Sequence, residues 1–148
     1  MKLLAALDFS PATPAVLREA QAWAQRLGAK LWLIHVAEPD PDFIGYKAGP
    51  DTVRDAMARK FHREHQQIET AAKELRDAGV DTTALLLQGP TAETILKEAD
   101  RLGVDAILMG TRARGALREF IAGSVCKQVL HKATRPVLLV PPHDAPAN

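Results

Sequence analysis

The sequence is poor in cysteine, in net charge and in long apolar runs. Cys126 is the only cysteine among 148 residues, which excludes an internal disulfide and is typical of a reducing compartment. Lysine and arginine number 19 against 18 aspartate and glutamate, a formal charge of +1. A dedicated nucleic-acid-binding protein usually carries an overall basic field. We therefore predict no nucleic-acid partner.

No apolar run approaches the roughly 18 residues that a membrane-spanning helix needs. Met1-Lys2 leads directly into a short strand-like segment, so we expect no signal peptide and predict a cytoplasmic protein without a membrane span. The length suits one domain with a sizeable core. We place this domain at residues 1–142 and expect residues 143–148 to form a flexible tail.

Short apolar runs alternate with segments of helical periodicity along the whole chain. The alternation predicts an α/β fold, an open five-stranded parallel sheet with helices on both faces in a Rossmann-like arrangement. Such sheets bind ligands beyond the carboxyl ends of their strands, where the strand order reverses. Asp8, Val36 and Met109-Gly110 all follow or close predicted strands. The predicted strands are 2–7, 30–36, 80–88, 104–109 and 136–140, and the predicted helices are 11–27, 51–78, 91–102 and 124–133.

Single residues and their spacing predict where the helices end and which of their faces are buried. Gly28, Gly79 and Gly103 are predicted to end the first three, and Thr91 is a candidate cap for the third. Apolar residues at helical spacing predict the buried faces: Val16, Ala20, Trp23, Ala24 and Leu27 in the first helix, and Met57, Phe61, Ile68, Ala72 and Leu75 in the second.

The stretch 109–125, MGTRARGALREFIAGSV, stands between a predicted buried strand and a predicted helix. Its glycines let the backbone approach a ligand, and the free N–H groups and dipole of the helix start favour an anion. The alternative is a long connection whose glycines serve only its turns. A Walker P-loop is excluded, because Ala116-Leu117 follow Gly115 where that motif needs Lys and Ser or Thr.

This stretch resembles the phosphate loop of the universal stress protein family, whose nucleotide-binding members show G-x2-G-x9-G-[ST]. Gly110 fits the first position and Gly123-Ser124 fit the last two, whereas Ala113 replaces the second glycine and Gly115 follows two residues later. Further matching segments cover nearly the whole chain: Asp8-Phe9-Ser10, His35-Val36, Gly89-Pro90, Met109-Gly110-Thr111, Gly123-Ser124-Val125 and the run from Arg135 to Val140.

The resemblance implies a fold like that of the adenine nucleotide alpha hydrolases and a site for ATP, which Mg²⁺ or Mn²⁺ could accompany. In the family pattern Asp8 lies at the adenosine end and the backbone of Val36 meets adenine. Met109 and Gly110 form the wall below the ribose and phosphates. Phosphate is cradled by Gly123, Ser124 and Val125, and the implied set also includes Ala6 and Ala113.

Two of these residues have a second interpretation. Asp8 could instead cap the first helix. If position 113 requires a positive φ, alanine there costs about 1–2 kcal/mol, whereas a requirement for close approach alone could tolerate one methyl group. Cys126 is predicted to be a small core residue rather than a reactive thiolate. His62 and His65 are predicted to lie on a solvated face, and we predict no metal site built from side chains.

The favoured function is a stress-response regulatory protein that binds ATP or another adenine nucleotide without fast hydrolysis. One alternative is a dimeric interaction module of the same family that holds no nucleotide. A third, ranked last, is an enzyme on a small substrate with residues 37–50 as a lid. The resemblance implies a homodimer through the strand at 136–140, and any protein partner is unknown.

Overall fold

The computed structural model describes residues 1–37, 51–111 and 123–142, apart from the side chains of residues 51–53. All the strands and helices predicted from the sequence are present, in the predicted order. Their bounds are β1 Lys2–Ala6, α1 Thr13–Leu27, β2 Lys30–Ala37, α2 Asp51–Asp77, β3 Thr82–Gln88, α3 Thr91–Leu102, β4 Ala106–Gly110, α4 Ser124–Lys132 and β5 Val137–Val140. The segments 38–50 and 143–148, predicted as a loop and a tail, lie outside the described residues.

The five strands form one parallel sheet in the order β3-β2-β1-β4-β5. β1 is central, with Leu4 opposite Trp32 of β2 and Ile107 of β4. After β3 the chain crosses to the other side of β1 and adds β4 there. The strand order therefore reverses between β1 and β4, and the predicted fold class is confirmed.

The core has two layers, one on each face of the sheet. Helices α1 and α2 cover one face and α3 and α4 cover the other. Successive strand residues point to opposite faces, so Leu3 and Ala5 belong to the first layer and Leu4 to the second. Strands buried on both faces need continuous apolar runs, which explains why the sequence located them well.

Two strands begin two residues later than predicted, β3 at Thr82 and β4 at Ala106. Val80 and Val104 are buried, yet their N–H groups donate back to the helix carbonyls of Leu75 and Ala99. They therefore belong to the closing turns of α2 and α3. Their apolar character indicated burial correctly, but it could not show where their hydrogen bonds go.

The apolar faces of the long helices are buried only in part. Trp23 is 40% exposed and Leu27 42%, so the prediction that both are buried is wrong. Helix α1 approaches the sheet through alanines such as Ala20 and Ala24, which leaves no depth for an indole. The Trp23 ring instead donates to Glu19 on the surface.

The predicted apolar face of helix α2 is also buried only in part. Ile68, Ala72 and Leu75 are buried, whereas Phe61 is 38% exposed, against the prediction. A helix of 27 residues is about 40 Å long, nearly twice the length of a seven-residue strand such as β3. Its N-terminal half therefore extends past the sheet.

The helix termini are partly as predicted. Gly28 and Gly103 adopt left-handed φ values of 58° and 64° after α1 and α3, which confirms them as stops. Thr91 is not the cap of α3. The cap residue is the extended Pro90, and Thr91 is the first helical residue.

Candidate functional site

A crevice opens at the carboxyl ends of β1 and β4, where the strand order reverses. Ala6 and Met109 form its floor, with Gly110 at the end of β4. The walls come from the turn after β1 and from the first residues of α1, α3 and α4. The remaining lining residues are Leu7, Asp8, Thr13, Val16, Thr91, Ile95, Gly123, Ser124, Val125 and Cys126.

One wall of the crevice is the start of α4. Gly123, the cap residue, is extended at φ −52° and ψ 164° and contributes no side-chain cap. Ser124, Val125 and Cys126 then make the first helical turn, whose N–H groups lack an intrahelical acceptor by geometry. The positive end of the helix dipole adds to their attraction for an anion. This arrangement is suited to a phosphate group.

Two further helices begin at the same crevice. Thr91 is the first residue of α3 and Thr13 the first residue of α1, and both line it. Three helix dipoles therefore direct their positive ends toward one space. Neither Thr13 nor Thr91 was predicted as a site residue, although each follows a proline-containing turn after a strand, which is the signal that could have identified them.

The turn that carries Asp8 also lines the crevice and leads into the start of α1. The Asp8 carboxylate is exposed, and its Oδ1 accepts a hydrogen bond from the Ser10 amide at 3.0 Å. Helix α1 begins only at Thr13, with Ala12 as its cap residue. The alternative prediction, that Asp8 caps this helix, is therefore wrong, because Asp8 orders the preceding turn instead.

Phe9, next to Asp8, has a backbone φ of +55°. A side chain in this left-handed region costs about 1–2 kcal/mol. Such strain persists only where surrounding contacts enforce it. The Phe9 ring packs on the imidazole of His35 with centroids 4.5 Å apart, and it joins the core layer under α1 and α2. These contacts hold the Asp8 turn in shape.

Of the residues selected from the sequence, Val36 is the one described residue outside the crevice lining. It is 6% exposed and packs in the layer under α3 and α4, paired in register with Leu87. Its position at the end of β2 places it on the same edge of the sheet. Ala113 and the neighbouring Arg112, Arg114 and Gly115 lie outside the described residues.

Gly110 lies close to the start of α1. A Cβ built on it would lie 3.0 Å from the Ala12 Cβ and 3.2 Å from Val16 Cγ2. These distances are shorter than ordinary van der Waals contact. The glycine is therefore needed for α1 to pack against the end of β4, a role that the sequence pattern alone did not distinguish from ligand approach.

Cys126 is 5% exposed and packs in the layer under α3 and α4. Burial raises the pKa of its thiol, because the charged thiolate is disfavoured away from water. The prediction of a core residue rather than a reactive thiolate is confirmed. His62 and His65 are exposed, and the described parts of the chain contain no group of three or more potential metal-ligating side chains. Within those parts no helix is long and apolar enough to cross a bilayer.

A doubly wound parallel sheet whose switch-point crevice gathers helix N-termini defines a class of fold whose crevice is suited to anionic ligands. Within that class the profile of the universal stress protein family matches residues 1–141. The chain belongs to the universal stress protein family.

Individual relatives agree with this assignment. A universal stress protein of Thermus aquaticus is 37% identical over 93% of this chain and 96% of its own length. One from Methanocaldococcus jannaschii is 27% identical, over 94% of this chain and 93% of its own. Among solved structures, the hypothetical protein MJ0577 superposes with a TM-score of 0.77 at 28% identity, covering 97% of both chains. Two proteins of the same fold, at 22% and 20% identity, were solved with dAMP and with cAMP.

Proposed function

We propose that this chain binds an adenine nucleotide, ATP above all, in the crevice between β1 and β4, and that binding serves a regulatory role in a stress response. The observation that carries the proposal is the start of α4 at Gly123–Val125, which lines the same crevice as Asp8. One end of the crevice favours phosphate and the other accepts hydrogen bonds from ribose hydroxyls.

The proposed site consists of Ala6, Asp8, Met109, Gly110, Gly123, Ser124 and Val125, with Val36 contributing backbone at the adenine end and Ala113 as a further member. The amides at 124 and 125 donate to phosphate oxygens, and the Ser124 hydroxyl adds one more bond. Mg²⁺ or Mn²⁺ accompanies the phosphates through phosphate and water oxygens. The described lining contains one carboxylate and no histidine, so we propose binding without fast hydrolysis.

The test is a titration with nucleotides of increasing phosphate number. Calorimetry measures the affinity, and thermal unfolding measures the stabilisation. Affinity should rise from adenosine through AMP to ATP, because each phosphate adds interactions with the helix start. ATP at a hundred times its dissociation constant should stabilise the protein by about 2.7 kcal/mol, or roughly 5–10 °C in Tm.

Gly123→Val should abolish this stabilisation, because its branched side chain would project at the helix start that receives the phosphate. Ala78→Val is the matched control. It adds similar bulk just after α2, at an exposed position outside the crevice lining, and should bind ATP like the parent protein. Absence of any shift at millimolar ATP would contradict the proposal and favour the second candidate.

That second candidate is a dimeric interaction module without nucleotide, and the observation favouring it is the position of β5. This strand is an edge of the sheet, and exposed strand edges pair readily with another copy. Homodimerisation through residues 136–140 is compatible with either function, so only the nucleotide titration distinguishes them.

A further inference from the structure

The imidazole of His35 lies beneath the turn that carries Asp8. His35 is 9% exposed, and its Nδ1 is 2.8 Å from the carbonyl oxygen of Leu7. The Phe9 ring packs on the imidazole. One side chain therefore contacts both chain neighbours of Asp8, although it belongs to the adjacent strand β2.

The protons on this imidazole can be counted. The Leu7 carbonyl can only accept, so Nδ1 carries a hydrogen. The second nitrogen, Nε2, is buried and has no hydrogen-bond partner among the described residues. It lies 3.6 Å from Oε1 of Glu64 on α2, whose side chain is 16% exposed. An unprotonated Nε2 would face a carboxylate with two acceptors in contact, which is unfavourable in a poorly solvated setting. The contact is attractive only when the pair holds one proton.

Other charged groups around this pair lie in the Asp8 turn and on α2. On β2 the neighbours are Ile34 and Val36, and the register partner on β3 is Leu86. In the turn, the Asp8 carboxylate is exposed and accepts from the Ser10 amide. From α2, the exposed Arg63 and Glu74 line the groove beside Phe9.

Phe9 connects the contact between His35 and α2 to the Asp8 turn at the crevice. Phe9 lines a groove between α1 and α2 together with Thr13, Arg63 and Thr70, and its backbone holds the positive φ described above. If α2 moves away from His35, the ring loses the packing that enforces this conformation. The turn then relaxes and carries the Asp8 carboxylate with it.

We propose that His35 and Glu64 share a proton that holds the Asp8 turn in its ligand-binding conformation, so that the crevice binds nucleotide more weakly as the pH rises. His35 is thus a positioning residue, and this inference rests on the proposed nucleotide function. The sign follows from the count above. The contact between the two side chains is attractive while they hold the proton between them and is lost when that proton leaves, which higher pH favours.

We call the proton-sharing contact between His35 and Glu64 the latch. Nuclear magnetic resonance of the nucleotide-free protein tests the latch without relying on ligand binding. Histidine ordinarily titrates near neutral pH, so spectra are recorded from about pH 5.5 to about pH 8.5. The imidazole signals of His35 and the backbone amides of Asp8 and Phe9 should follow one common titration. A single protonation state of His35 over this range, or flat amide signals while His35 titrates, would overturn the proposal.

Glu64→Gln supplies the decisive variant. The glutamine amide can donate to an unprotonated Nε2, so the contact persists without a titrating proton. The Asp8 and Phe9 amides should become insensitive to pH in this variant. Glu69→Gln is the matched control on the same helix, because Glu69 pairs with Arg76 at 3.5 Å instead, and it should keep the parent titration. If the Asp8 and Phe9 amide signals still change with pH in Glu64→Gln, the proposed latch is wrong.

Calorimetry with ATP then asks whether the latch governs the crevice. The parent protein and Glu69→Gln should lose affinity by roughly fivefold or more between pH 6 and pH 8, and Glu64→Gln should show no such loss beyond the titration of ATP itself. Equal pH dependence in all three proteins contradicts the coupling. If no nucleotide binds at any pH, the proposed function fails, and the spectra alone decide the latch.

Discussion

Gly110 shows how a residue chosen for one reason can be required for another. The loop pattern selects it as a glycine that lets a ligand approach. The structure places the Ala12 Cβ and Val16 Cγ2 against its Cα on the side of α1. A Cβ at 110 would therefore press on Ala12 and Val16 at the start of α1, which would have to give by a few tenths of an ångström.

We expect Gly110→Ala to destabilise the protein by about 1–3 kcal/mol, the usual cost of overpacking a closed contact. Urea unfolding monitored by circular dichroism measures it. Because Ala12 supplies the closer contact, adding Ala12→Gly should recover part of the loss, and the two substitutions should be non-additive. A Gly110→Ala protein that unfolds at the parent urea concentration but no longer binds ATP would assign the glycine to the ligand alone.

Ser124 and Cys126 both line the crevice but differ chemically. Ser124 is exposed at the first helical position, where its hydroxyl can reach a ligand. Cys126 faces the core, and burial raises the pKa of its thiol. Their spacing of two residues turns the side chains roughly 200° apart around the helix, which explains why one is available for recognition and the other for packing.

The two halves of helix α2 differ in how they pack. Its C-terminal half packs Ile68, Ala72 and Leu75 into the core. Its N-terminal half extends beyond β3 and exposes Phe61. Glu64, which faces His35, lies between these two regions, so a shift of the N-terminal half can alter that contact without unfolding the core.

Truncation of each half should reveal this division. Ile68 is fully buried and Phe61 is 38% exposed, on the same stripe of the helix. Ile68→Ala should cost about 2–5 kcal/mol through the cavity it leaves, and Phe61→Ala should cost about 0.5 kcal/mol or less. Unfolding midpoints in urea give both values. Similar losses for the two variants would show that the N-terminal half is packed as firmly as the rest.

The whole molecule presents two sheet edges, β3 and β5, each with one neighbouring strand among the described residues. The carbonyls of Pro136 and Val140 accept from Ile107 of β4 and from Thr111 just after it, so the backbone groups of Val137 and Leu139 point outward from β5. On β3 the Thr82 carbonyl points outward and accepts from Arg76. This difference favours β5 as the edge that pairs with a second copy.

We expect the protein to sediment at micromolar concentration with twice the chain mass of 16.1 kDa. Leu139→Pro removes an outward N–H from β5, a change that edge strands tolerate, and it should shift the protein toward monomer. Leu86→Pro makes the same change at an outward position of β3 and should leave the dimer intact. A parent protein of monomeric mass would refute the proposal of a homodimer.

The alternation of buried apolar runs and helical segments determined the fold class without further information. Burial on both faces requires every residue of a parallel strand such as Ile107-Leu108 to be apolar, and local periodicity records this directly. The helix ends at Gly28 and Gly103 were equally readable, because a left-handed backbone selects glycine locally. The spacing of Gly110 and Gly123-Ser124 also indicated the correct family.

Only the tertiary structure decided which residues meet. Thr13, Thr91 and Ser124 are far apart in the sequence, and parallel strand order alone gathers their helix starts at one crevice. The contact of His35 with Glu64, and the burial of Ala20 where Trp23 stays exposed, depend on the distance between a helix and the sheet. That distance is set by long-range packing, and a linear pattern of residue types does not record it.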